Sequence, residues 1–301
     1  MSAAEMHSLQ RPHDRLRRRR LVNLGMELLA WLAAAAAVFI LGVVVWSVAK
    51  KGASALSLDL FTKAQVSPGG FLPNVHGGLA NAFVGTLVVV GLATLMALPL
   101  GILIAIYVNE FAPRAIKSAV GLTLDVLAGV PAIVIGIFVF SLIVVAQGQS
   151  AYAGAFALSV LMLPFVARTT IEVLALVPNS LREAGLGVGA PRWRTTLGIV
   201  LPQTIGGILT SAVLAVARVA GETAPLLYTC SLAQQGTHWD PSLPLQTIPV
   251  AIFELSDQPD ATSQALAWAG ALVLIIFILL LSLGARWLAT RSRRKIAGAS
   301  R

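Results

Sequence analysis

The feature that most constrains this chain is a series of apolar runs, several of them about 20 residues or longer. Each is near the length a helix needs to cross a hydrocarbon core of about 30 Å. The 301 residues are 57% hydrophobic and only 12% charged, against about 25% charged in an ordinary soluble domain. Lipid offers no hydrogen-bond partners, so a spanning segment must satisfy its backbone internally. The runs therefore predict an all-α, polytopic membrane protein with one helical domain.

Charge sets the expected orientation. The net charge of +9 would suit nucleic acid, but its distribution excludes that reading. Six arginines fall in the first 20 residues (Arg11, Arg15, Arg17, Arg18, Arg19, Arg20), and six basic residues lie from Arg286 to the end. Both clusters flank apolar spans, the pattern of cytoplasmic flanks. Both termini are thus expected in the cytoplasm, where the clusters also attract anionic lipid headgroups. Termini on one side require an even number of spans. About six fit, over residues 27–48, 79–107, 119–146, 152–166, 197–228 and 264–288. With that assignment about 18 basic residues lie inside, three outside (Lys50, Lys51, Lys63) and one within the membrane. The first run resembles a signal peptide, with Ala53-Ser54-Ala55 as a cleavage site. Its length exceeds the 7–15 residues of a signal core, so a retained helix is expected.

Segments 49–78 and 230–263 are expected outside; the second has no Lys or Arg and four acids. Its apolar middle, Ile248 to Leu255, suits an interfacial or dipping segment. Pro99 falls inside the second span, where a proline usually kinks the helix. Asp125, at the inner end of the third, reads as a solvated or headgroup-level residue. The single cysteine, Cys230, reads as a small apolar filler, and the four scattered histidines have no metal-ligand spacing. No G-x-x-x-x-G-K-[ST] is present, so ATP must bind another chain.

One long polar, glycine-rich interruption separates two apolar blocks: Arg182 to Pro202, REAGLGVGAPRWRTTLGIVLP. Gly185, Gly187 and Ala190 satisfy the dinucleotide pattern G-x-G-x-x-[GA]. The context excludes it, because no strand precedes and no acid follows until Glu222. The same stretch carries Glu183-Ala184, then Gly189 six residues after the Glu, then Leu201-Pro202. This order resembles the E-A-A-x-x-x-G…L-P loop of ABC importer permeases, with Gly185 in place of the second Ala. The resemblance implies the type I ABC importer permease architecture. It also implies a coupling segment, Glu183, Ala184, Gly185, Gly189 and Arg192, that docks on an ATPase subunit. The glycines suit either a close backbone approach to that subunit or a flexible turn.

Arg218 is the one basic residue inside a span, in A-R-V-A-G-E-T-A-P. A central arginine costs about 2.5–3.5 kcal/mol on translocon scales, so it should face protein or water. Glu222, four residues on, would share its helical face and pair with it. A buried pair bracing helices fits these residues, and so does an anion site on a translocation path, since a guanidinium binds oxyanions bidentately. Gly129 and Pro131 mark either a packing kink in span three or a broken helix aiming backbone dipoles at an anion.

R-x-x-G-E-T-A-P in span five, with L-A-G-V-P-A-I-V-I-G in span three, resembles the phosphate-specific transport (Pst) permeases. The layout is similar to that of the PstA-type subunit. The resemblance implies a permease subunit in the bacterial inner membrane, importing inorganic phosphate. Arg218, Glu222 and Thr223 would line the path. The implied partners are a PstC-type permease, two PstB-type ATPases that hold ATP and Mg, and a PstS-type binding protein. The chain itself would carry no cofactor and no enzyme activity. The expected organisation is a basic tail over 1–25, a transmembrane domain over 26–290 and a second tail over 291–301. The domain has its core at about 79–288 and its coupling loop at 168–202. The charged pair alone does not distinguish phosphate from sulfate, molybdate or phosphonate. A non-transporting membrane scaffold is the other class, and the coupling-type loop argues against it.

Overall fold

The computed structural model describes the backbone of residues 12–65, 77–230 and 236–298, and side chains between 16 and 287 within those stretches. Parts of the two expected tails and of the loops 49–78 and 230–263 lie outside the described residues. Among the described residues the chain is helical and has no strand. Five helices are long and apolar enough to cross a membrane, or six if one bent pair counts as a single span.

Contacts divide the chain into two units, Met1–Lys50 and Lys51–Arg301. The first consists mainly of α1 (Pro12–Ala53), one uninterrupted helix of 42 residues. Its run of alanines from Ala33 to Ala37 has the highest helix propensity of any residue type. At about 1.5 Å per residue it is roughly twice as long as a bilayer core requires. Helix therefore extends into the arginine-rich stretch that composition alone assigns to a tail.

The second unit is built on α3 (Ala80–Ile106) and α6 (Ala151–Ala175). On α3, Ala93, Ala97, Gly101 and Ala105 recur every fourth residue and all are buried. Small residues at that spacing let two helices approach closely where no hydrophobic effect drives them together. A Cβ on Gly101 would lie 2.8 Å from Val166 Cγ1 of α6. The surrounding core joins Val89, Val90, Leu158, Met162 and Val166 to Ala215 and Val219 of α9 (Leu201–Val219). Cys230 is fully buried in this core, beside Gly154, as a small filler. Helix α3 continues through Pro99 and then widens into a π-turn, Tyr107–Phe111.

Span three is broken. Helices α4 (Arg114–Gly129) and α5 (Ala132–Val139) meet at 93°. The cause is local: Pro131 disfavours helical geometry at the residue before it. Val130 is accordingly extended, at φ −68° and ψ 129°. A second interruption follows α9, where the chain turns through 220–225 into the short α10 (Leu226–Thr229). Gly136 of α5 packs on that turn, since a Cβ there would lie 2.6 Å from Pro225 Cα.

The N-terminal end of α3 anchors the long connections. Helix α2 (Asp59–Thr62), α11 (Ile248–Ser256) and α12 (Ala261–Gly298) share a core of Leu60, Leu79, Ala82, Ile248, Leu255 and Ala267. A buried polar network crosses it. Asn81 accepts from the Gln65 amide at 3.0 Å and donates to Gln246 Oε1 at 3.0 Å. Gln246 and Gln65 each donate to Glu254 Oε2, at 2.6 and 3.3 Å. Burial raises the Glu254 pKa, and the two amide donors partly offset the rise. A group whose pKa rises on folding favours the folded state below its unfolded value and loses that contribution as pH climbs. Glu254→Gln keeps an acceptor for both amides and removes the charge. The variant's thermal midpoint in detergent is expected to gain on the native protein's between about pH 4 and about pH 7. A gap that stays constant over that range would rule out a buried, titrating Glu254.

Candidate functional site: a charged cavity and a coupling segment

The broken span opens a cavity of about 220 Å³ inside the second unit. Its wall includes Leu127, Val130 and Ala132 from the α4/α5 break, and Phe165 and Arg168 from α6. Arg218 and Glu222 complete it from the end of α9. Phe165 carries the Arg218 guanidinium over its ring at 5.6 Å from the centroid. This contact favours a cation without using any of its five N–H donors.

Arg218 does not pair with Glu222. Among the described residues it makes no ion pair or hydrogen bond through its side chain. The expected pairing assumes continuous helix between the two, but α9 ends at Val219. The next amides close a turn instead: Gly221 N donates to Arg218 O at 3.2 Å and Glu222 N to Val219 O at 3.1 Å. The i to i+4 relation is lost at that point, and both side chains reach the cavity separately. Thr223 does not line it; its carbonyl accepts from the Leu226 and Leu227 amides and starts α10. Gly129 and Pro131 are also off the lining, and act by producing the break whose flanking residues face the cavity.

One charged cavity residue, Arg168, escaped the reading from sequence. Span four does not stop at residue 166 but continues as α6 to Ala175, so Arg168 lies within a helix rather than in a loop. Its guanidinium pairs with Asp125 of α4 and donates to Gly121 O at 3.0 Å. Asp125 is therefore engaged with a neighbouring helix, not simply solvated. An acid in one span and a base at the end of the next were the available signal. No side chain caps the first turn of α5, so the N-terminus of that helix begins beside the cavity with uncapped amides.

The coupling-type segment lies at the far end of α3, about 40 Å along that helix from Asn81. It folds as α7 (Asn179–Gly187), a bend, α8 (Arg192–Thr195) and a π-turn, Thr196–Val200, leading into α9. Gly189 is the helix stop. Its φ is +82°, the Ala190 amide donates to Gly185 O at 3.2 Å and the Gly189 amide to Leu186 O at 2.9 Å. Those two bonds and a left-handed residue between them form a Schellman cap. Gly185 has a different reason: it is buried against Thr195 and Ile199, where a Cβ would lie 2.6 Å from Thr195 Cγ2. It serves this chain's own packing. Glu183, Ala184 and Arg192 are exposed, beside exposed Leu186, Val188 and Trp193. Arg194 lies over the Trp193 ring at 5.1 Å. An apolar patch rimmed with charge is the usual form of a protein-docking surface.

One ion pair fixes this segment to the membrane domain. Arg182 Nε and Nη2 reach the Glu110 carboxylate at 3.1 and 2.8 Å, and its Nη1 and Nη2 donate to Val177 O and Leu174 O at 2.6 and 2.9 Å. The side chains are only 19% and 8% exposed. Breaking such a pair from one side costs about 3–5 kcal/mol, because the remaining charge is stranded. Glu110→Ala is expected to lower the thermal midpoint in detergent clearly, while Glu183→Ala, on the exposed face, leaves it unchanged. Gly189→Val forces a branched residue into left-handed backbone, at about 1–2 kcal/mol. Faster amide exchange over residues 186–190 is the expected readout.

Residues 97–294 match the family described as "Binding-protein-dependent transport system inner membrane component". The chain is 40% identical over 270 residues to the phosphate transport system permease protein PstA of Pasteurella multocida, covering 89% of this chain and 94% of that one. It is 41% identical over 235 residues to PstA 1 of Mycobacterium tuberculosis, covering 75% of each. Among solved structures it resembles a chain of a bacterial alginate ABC transporter, with a TM-score of 0.61 at 17% identity over 94% of this chain and 98% of that one. It also resembles a chain of an inward-facing methionine ABC transporter, MetNI, with a TM-score of 0.55 at 16% identity over 70% and 93%.

Proposed function

We propose that this chain, which belongs to the binding-protein-dependent transport system inner membrane component family, is the PstA-type permease subunit of an ATP-driven inorganic phosphate importer. The observation that carries the reading is the cavity in which Arg168, Arg218 and Glu222 converge at a broken span. An unpaired guanidinium at membrane depth costs a few kcal/mol unless it faces water, protein or an anion. Arg218 is exposed in the single chain. It therefore waits for a second surface, which a PstC-type permease would supply by closing the path from the other side.

The chain is a transporter subunit of several membrane spans and not an enzyme. ATP and Mg belong to two PstB-type subunits, and a PstS-type protein delivers phosphate to the opposite face. The termini and the α7–α8 segment lie in the cytoplasm, in keeping with their arginines. The exposed residues Glu183, Ala184, Arg192 and Trp193 form the surface on which an ATPase docks. Gly185 and Gly189 hold that surface in shape, and the Arg182–Glu110 pair carries its movement to α3.

Movement of the coupling segment would then reach the cavity through α9, which begins at the segment and carries Arg218 in its last turn. Arg218 offers the incoming anion a forked set of donors, and Glu222 limits how tightly the anion is held, since a conducting site must also release. Val130 and Ala132 keep the cavity mouth apolar. The break between them starts α5 beside the cavity, with no side chain capping its first amides.

The test is radiolabelled phosphate uptake at micromolar concentration in cells lacking other phosphate importers. Native uptake should resist excess sulfate and molybdate. Arg218→Gln should reduce it at least about 100-fold, the cost of losing roughly 3 kcal/mol of charge-assisted hydrogen bonding, with the assembled complex still recovered. Normal uptake by Arg218→Gln would make that residue structural. Competition by sulfate would replace phosphate with another oxyanion.

A further inference from the structure

The cavity holds more cationic charge than one anion-binding arginine supplies, and its second arginine is held differently. Arg218 has no ion pair or hydrogen bond among the described residues, only the ring of Phe165. Arg168 already has two partners, the Asp125 carboxylate and Gly121 O, and both sit on α4. Asp125 lies one turn before the break at Gly129, and its side chain is 60% exposed against 36% for Arg168. It is a solvated carboxylate reaching toward a guanidinium in the cavity wall. Leaving that guanidinium would return Asp125 to water at small desolvation cost.

The charge balance has the same form. With Asp125 and Glu222 in place, the two guanidiniums are neutralised and the empty cavity carries no net charge. Withdrawal of Asp125 alone leaves one net positive charge for an incoming anion. A carboxylate and a phosphate oxygen use the same N–H donors of a guanidinium fork, so the two compete for them.

Resting on the reading of this cavity as a phosphate site, we propose that Arg168 is its second binding cation and that Asp125 is the exchangeable counter-charge that displaces the anion from it. In capture, Arg168 turns from Asp125 to the anion shared with Arg218. In release, Asp125 retakes Arg168 and the anion is left with one cation. Because Asp125 and Gly121 lie on α4 and Arg168 on α6, a shift of the half-span α4 against α6 changes anion affinity directly. Occupancy and helix position are thus two readings of one equilibrium. Arg168 touches the anion; Asp125 is a positioning residue that acts through Arg168.

The experiment measures KM and maximal rate of phosphate uptake in cells lacking other importers. The variants are Asp125→Asn, Arg168→Gln, Arg168→Lys, and the exchanged pair Asp125→Arg with Arg168→Asp. Assembly is followed by co-purification of the ATPase. Asp125→Asn should lower KM by about tenfold and also lower the maximal rate, because the anion now leaves slowly. Arg168→Gln should raise KM by about tenfold or more, and Arg168→Lys should recover part of it. The exchanged pair should assemble without transporting.

The proposal is overturned if Asp125→Asn and Arg168→Gln reduce assembled complex alike at unchanged KM, and the exchanged pair restores both assembly and uptake. That result describes a brace between α4 and α6. It is overturned equally if both single variants transport like the native protein. Sulfate competition with the native complex reports separately on the phosphate reading. If sulfate competes, the substrate changes while the opposite KM shifts of the two variants still decide the exchange.

Discussion

Everything in this structure follows from one constraint: in lipid, a backbone amide or carbonyl without an internal partner costs several kcal/mol. The chain answers it with long helices, and departs from them within the span region where the departure borders a cavity. The α4/α5 break and the turn after α9 are the two such places near the cavity, and they face the same space. Irregular backbone at membrane depth and ionisable side chains at membrane depth thus coincide. Each makes the other tolerable, since the break opens room and the charges keep that room polar.

Close packing supplies the rest. Helices α3 and α6 approach through alanine and glycine, and the same smallness recurs where Gly136 meets Pro225 and Gly154 meets Cys230. These contacts place the turn at 220–225 against α5, and so place Arg218 and Glu222 relative to the break. At the other end, Gly185 brings α7 onto Thr195 and Ile199, and the Arg182–Glu110 pair locks the segment to the end of α3. Helix α9 joins the coupling segment to the cavity as one rod of 19 residues.

Much of this was legible in the residues. Apolar run length predicted the spans, and Gly129 and Pro131 marked an interruption in the third. These succeed because they rest on local geometry: the length of a hydrophobic run and the restriction before proline. The pairing of Arg218 with Glu222 failed for an equally definite reason. Four-residue spacing implies a shared face only while the helix continues, and whether it continues past Val219 depends on how the following turn packs. Arg168 was misplaced because counting charges puts an arginine after an apolar run into a loop. Helix α6 keeps it within the span region by pairing it with Asp125.

The sequence by itself determined the class of the molecule and its spans, because each is set by composition or by neighbours a few residues apart. Only the tertiary structure decided which charges share a cavity and which are bound to each other. Asp125 and Arg168 are 43 residues apart and Glu110 and Arg182 are 72 apart, while Asn81 meets Gln246 across 165. No local preference encodes those meetings. They are selected jointly by helix packing and by the cost of leaving a buried polar group alone.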